Sequence, residues 1–123
     1  MQISNLILQV SDLERSLRFY RDVLDLPLLH ASGAFAFFDG GGMTLALNEY
    51  PGEFPSVAGV AEIVLRVDDV YEAYRMLAGK GVEFRVEPRV VTEMDGKNLL
   101  AADFRDPDGH VLSITGWEGE SSQ

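Results

Sequence analysis

Glu62 opens the run "EIVLRV", and Arg66, four residues on, points to the same side of an extended strand. A carboxylate on an apolar floor can act as a general base or help to hold a divalent cation. At the usual rise of a strand the two charges stand about 13 Å apart, so they could address opposite ends of one ligand or pair with different neighbours. The histidines are His30, after "LPLL", and His110, before "VLSIT"; nothing pairs His30 with Glu62. The chain has no cysteine, which excludes a disulfide framework and a thiolate metal site. Asp106, Pro107, Asp108 and Gly109 could hold a cation. However, Pro107 presets its φ and Gly109 suits a positive φ, as a tight turn demands. A chain reversal closed by His110 explains them without a ligand.

These groups sit in 123 residues, the size of one ordinary domain, which can remove roughly two-thirds of its unfolded surface from water. Twenty acidic against ten basic residues give a formal charge of −10. Nucleic-acid binding needs a basic stripe, so that partner is not expected. The charge keeps the chain soluble and favours a cationic partner only weakly. No apolar stretch approaches the ~20 residues of a membrane span, and "MQISNLILQV" lacks the basic start and cleavage region of a signal peptide. A cytoplasmic location with no membrane partner is the expectation.

The elements that must position the candidate groups follow one order twice. "NLILQV" alternates like a strand, and Ser11 with Glu14 forms a capping box for the helix "SDLERSLRFYRDVLD". Leu13, Leu17, Tyr20 and Leu24 recur at helical spacing as a buried stripe. Strands follow in "LPLLHA", "AFAFFD" and "MTLALNE", separated by glycines. After "EYPGEFPSVAG", suited to a linker, "AEIVLRV" is again a strand. Asp68 or Asp69 can cap a helix bearing Val70, Tyr74 and Leu77 on one side. "VEFRVEPRVV", "NLLAADF" and "HVLSITG" supply the remaining strands. Laying the halves over one another sets Leu8 on Leu65, Val10 on Val67, Asp12 on Asp69 and Arg18 on Arg75, while "DGGGMTLAL" echoes "DPDGHVLSI". The expectation is an α+β chain of two tandem βαβββ modules in a single domain, 1–123. Module one covers about 1–50, a linker about 51–60, and module two about 61–117.

This arrangement, with "VSDLERSLRFYRDVLDL" after the first strand and "DPDGH" before the last, resembles the vicinal oxygen chelate superfamily. That family includes glyoxalase I, extradiol dioxygenases, epimerases, fosfomycin-resistance enzymes and bleomycin-binding proteins. The resemblance implies curved mixed sheets that form a cavity, and a homodimer. It also implies metal-ligand positions on the first and last strand of each module, which fall on Asn5, Ala46, Glu62 and Ser113. Family enzymes carry His, Gln or Glu there. A catalytic divalent site wants about three imidazole or carboxylate ligands, and Glu62 alone qualifies. No divalent metal or other cofactor is therefore expected.

Alternation sorts the strands into two faces. Leu6, Leu8 and Val10 suit a helix-packed face and leave Asn5, Ile7 and Gln9 on the other; Leu45 and Leu47 leave Thr44, Ala46 and Asn48. Ile63, Leu65 and Val67 leave Glu62, Val64 and Arg66, and Leu112 with Ile114 leaves Ser113 between Val111 and Thr115. Such a mixed face suits a concave pocket for a small organic molecule, although a merely wet sheet face would read the same way. The expected function is metal-free binding or sequestration of a small organic ligand, cationic or aromatic. The alternative is an enzyme of the lyase, isomerase or dioxygenase type, with Glu62 as catalytic base or as part of an atypical metal site.

Overall fold

The alternating runs become two four-stranded mixed sheets, described by a computed structural model over residues 1–54 and 61–118. The chain divides into two compact units, 1–56 and 57–123. Of the expected linker, residues 55–60 lie outside the described residues.

In the first unit β1 (Asn5–Val10), β2 (Leu28–Ser32), β3 (Phe35–Asp39) and β4 (Thr44–Glu49) lie in the order β1-β4-β3-β2. The first strand runs parallel to the last, and the other pairs are antiparallel. Val10, Leu47, Ala36 and Phe38 are fully buried on the face that helix α1 (Leu13–Arg18) covers. Fully burying a side chain such as Leu47 contributes about 1.5–3 kcal/mol. Leu6, expected to pack there, remains 44% exposed at the start of the strand.

The helix departs from its expected form at both ends. Its cap is Asp12 rather than Ser11: the extended Asp12 places Oδ1 3.1 Å from the backbone N–H of Arg15, and Ser11 Oγ instead accepts from the Arg15 guanidinium at 2.8 Å. After Arg18 the chain widens into a π-helical turn, Phe19–Val23, in which Leu24 N–H donates to the Phe19 carbonyl. That extra residue per turn breaks the helical period. Tyr20 and Ser16, one turn apart, are the fully buried pair, while Leu13, Leu17 and Leu24 are half-buried. Tyr20 lies against Phe38 with ring centroids 6.1 Å apart.

The second unit repeats the order. β5 (Glu62–Arg66), β6 (Phe84–Met94), β7 (Lys97–Arg105) and β8 (Val111–Glu118) form the sheet β5-β8-β7-β6, again with first and last strands parallel. Helix α2 (Val70–Gly79) is capped by Asp69, whose Oδ1 accepts from Glu72 N–H at 3.1 Å. Val70 and Leu77 are buried, and Tyr74 meets Phe84 edge-on at 4.7 Å. The close approach of this helix to β8 depends on Gly116, where a Cβ would come 2.7 Å from the Val67 carbonyl oxygen. β6 runs on to Met94 despite Pro88, because an edge strand with register shifts tolerates a missing N–H. Asp95 and Gly96, both at positive φ, then turn it into β7.

Candidate functional site

Pairing of first and last strands brings the candidate residues into rows. In the first unit Asn5 stands beside Thr44, Ile7 beside Ala46, and Gln9 beside Asn48. Pairing of β4 with β3 extends these rows to Asp39, Phe37 and Phe35, and β2 adds His30 beside Phe37. Side chains directly opposite one another share a face, so this is the side of the sheet turned away from the helix. Asn48 Nδ2 donates to Gln9 Oε1 at 3.2 Å, so that polar pair is tied within the sheet. Beside it lies a ladder of rings. Phe35 and Phe37 stack at 5.8 Å and 9°, and His30 stacks on Phe37 at 6.3 Å and 24°. Phe35 and His30 are exposed and Phe37 is half-buried. Phe38, between Phe37 and Asp39 on the same strand, belongs to the core instead.

In the second unit Glu62 stands beside Val111, Val64 beside Ser113, and Arg66 beside Thr115. The rows continue on β7 with Arg105 opposite Val111, Asp103 opposite Ser113 and Ala101 opposite Thr115. Ser113 lies at the centre of this face, 2% exposed, whereas neighbouring Val64 is 58% exposed. Glu62 and Arg66 are exposed, and no ion pair joins them among the described residues. Asp103 and Arg105 were not singled out from the sequence. The alternation that marks them begins only at Ala102, since Ala102 and Phe104 are buried on either side of Asp103, whereas Leu100 and Ala101 are both buried.

The acidic turn is structural. Asp106, 5% exposed, accepts at Oδ1 from the N–H groups of Asp108 and His110, at 3.0 and 2.8 Å. Its Oδ2 meets His110 Nδ1 at 2.8 Å, and Gly109 takes φ +95°. His110 is thereby spent on the turn. Asp39 repeats the device at the matching place in the first unit, accepting from Gly41 N–H at 2.9 Å, with Gly41 at φ +94°.

The donor chemistry at the four metal-ligand positions does not fit a divalent ion. Ala46 is fully buried between Ile7 and Phe37 and presents a methyl group. Asn5 and Ser113 offer neutral oxygens, and Glu62 is the one carboxylate. Among the described residues, no three His, Cys, Asp or Glu side chains form a group that could hold a metal.

Comparison with known proteins follows this geometry. Residues 2–114 match the family model described as the Glyoxalase/Bleomycin resistance protein/Dioxygenase superfamily. A metallothiol transferase FosB from Staphylococcus haemolyticus is 43% identical over 116 residues, covering 91% of this chain and 81% of the relative. A lactoylglutathione lyase from Haemophilus influenzae is 30% identical over 126 residues, covering 93% and 91%. Among solved structures, a glyoxalase/bleomycin resistance protein/dioxygenase from Nocardioides superposes with a TM-score of 0.74 at 26% identity, covering 98% of this chain and 86% of that one.

Proposed function

This chain belongs to the glyoxalase/bleomycin resistance protein/dioxygenase superfamily, and from that premise we propose that it binds a small, flat organic molecule without a metal. The carrying observation is the ladder His30–Phe37–Phe35, whose parallel rings lie on the face of Asn5, Ala46 and Asn48. Rings that only filled a core would be covered, as Phe38 is. Stacking an aromatic ligand on such a ladder contributes about 0.5–1.5 kcal/mol per ring pair beyond the area buried. Ligand contacts in this reading come from Asn5, Ile7, Gln9, Thr44, Ala46 and Asn48 in the first unit. In the second unit, taken by itself, the corresponding face offers Glu62, Val64, Arg66 and Ser113. The proposal includes a homodimer in the cytoplasm. Mass spectrometry of small molecules released from the purified protein, with elemental analysis of the same sample, tests it. A co-purifying aromatic compound without stoichiometric metal is expected; stoichiometric metal with no organic ligand overturns it.

One observation favours a second reading. Relatives are named as a transferase and a lyase, both enzymes, and Glu62 keeps a carboxylate at a metal-ligand position. In that reading Glu62 removes a proton from the bound molecule or completes an atypical metal site. Conversion of the co-purifying compound, lost in Glu62→Gln with the fold intact, would replace the binder by the enzyme.

A further inference from the structure

The open face of the second unit carries polar groups that the described residues leave unanswered. Among the described residues Ser113 Oγ is buried with no hydrogen-bond partner, and so is Nε of Arg105. Buried polar groups almost always find partners, so two on one sheet face call for an explanation. Arg105 spends Nη1 on the Gly109 carbonyl, 3.2 Å away, which helps to hold the turn but leaves Nε free. Asp103 stands directly across from Ser113, and its side chain meets no hydrogen-bond or ionic partner among the described residues. Asp103 and Arg105 are two apart on β7, so they share a face with Cα atoms about 7 Å from one another.

The valences of these groups restrict what can answer them. Arginine Nε only donates, an ionised aspartate only accepts, and a serine hydroxyl can donate. The missing partner must therefore bring an acceptor and a donor close together. A simple carboxylate would satisfy Arg105 and Ser113 but face Asp103 with like charge. A simple amine would satisfy Asp103 and leave Nε unanswered. An ammonium and a carboxylate on one carbon satisfy all three. The net charge of −10 does not decide against this, because on the face Glu62 and Asp103 are balanced by Arg66 and Arg105. Ser113 forms a floor between Val64 and Asp103, and its hydroxyl turns among staggered rotamers as a ligand settles.

We propose that this face binds the zwitterionic head of an α-amino acid, or of a molecule that ends in one, with the carboxylate on Arg105 and Ser113 and the ammonium on Asp103. The inference rests on the reading of the chain as a small-molecule binder, and it adds the class of ligand.

Calorimetric titration of the full chain with L-phenylalanine, 3-phenylpropionate and phenethylamine tests it, since the three share a ring and differ in charge. Phenylalanine should bind about tenfold more tightly than either singly charged analogue, the worth of one charge-assisted hydrogen bond. Asp103→Asn should bring phenylalanine down to the level of phenylpropionate without weakening phenylpropionate. Ser113→Ala should weaken both about three- to tenfold, while phenethylamine stays unchanged. A melting temperature within a few degrees of wild type certifies each variant, and Arg105→Lys replaces any variant that fails to fold. Equal affinities for the three probes, no binding of phenylalanine, or a charge preference that survives Asp103→Asn would overturn the zwitterion. A co-purifying aromatic compound without an amino-acid head would sink this inference alone and leave the binder standing.

Discussion

The Asp106 carboxylate accepts from the N–H groups of Asp108 and His110 and meets His110 Nδ1, with almost none of its surface in water. Removing it strands buried donors, and each such group costs about 1–3 kcal/mol. Asp106→Ala should therefore lower stability by roughly 3 kcal/mol in urea unfolding. Asp39 plays the matching part on an exposed turn, accepting among the described residues from Gly41 N–H, so Asp39→Ala should cost no more than about 1 kcal/mol. Comparable losses for both would mean that burial does not separate the two turns. Phe37 offers a different readout. Its ring lies between Phe35 and His30 on the face turned away from the helix, so Phe37→Ala should weaken binding of the co-purifying compound about two- to tenfold, by roughly 0.5–1.5 kcal/mol. Unchanged affinity in a folded Phe37→Ala protein would remove the ladder from the site.

At the scale of elements, helix α2 can lie close to β8 because residue 116 has no side chain. In Gly116→Ala the new methyl would meet the Val67 carbonyl oxygen at 2.7 Å and Val70 Cγ2 at 3.1 Å. Backbone cannot yield as a flexible side chain does, so a loss of roughly 1–3 kcal/mol is expected, read from the shift in melting temperature. This contact was invisible in "HVLSITG", since nothing local marks which glycine another element touches. What the sequence did disclose follows the period of two. The pairings Asn5–Thr44, Ile7–Ala46 and Val64–Ser113 place on shared faces the residues that alternation had sorted together. Helix ends were harder: Ser11 and Asp12 are both good caps, and a local pattern could not weigh one against the other. The π-helical turn at Phe19–Val23 lay beyond a reading that assumes constant pitch. The alternating run "VEFRVEPRVV" ends at Val91, whereas β6 continues to Met94, up to the hairpin signal of Asp95 and Gly96 in "TEMDGKNL".

For the whole molecule, the donor set predicts a protein indifferent to divalent ions. A ligand held a hundredfold above its dissociation constant stabilises the native state by about 2.7 kcal/mol, so the melting temperature should not rise with Ni²⁺, Zn²⁺, Co²⁺ or Mn²⁺. Saturable stabilisation by one of them, lost in Glu62→Gln, would restore the metal site. Sedimentation at micromolar concentration should give a dimer mass, and monomeric behaviour would remove that part of the proposal. The strand orders β1-β4-β3-β2 and β5-β8-β7-β6 also bear on how the chain is made. In each unit the strand synthesised last sits in the interior, with Asn5 waiting for Thr44 and Glu62 for Val111. Until β4 or β8 emerges, the first strand of its unit has no neighbour, and contacts so distant in sequence form slowly. Each unit therefore closes only once its own last strand is available. A chain released early at Arg105 would leave both β5 and β7 with raw edges ready to pair with other chains. Such a product should aggregate even though seven of the eight described strands are present.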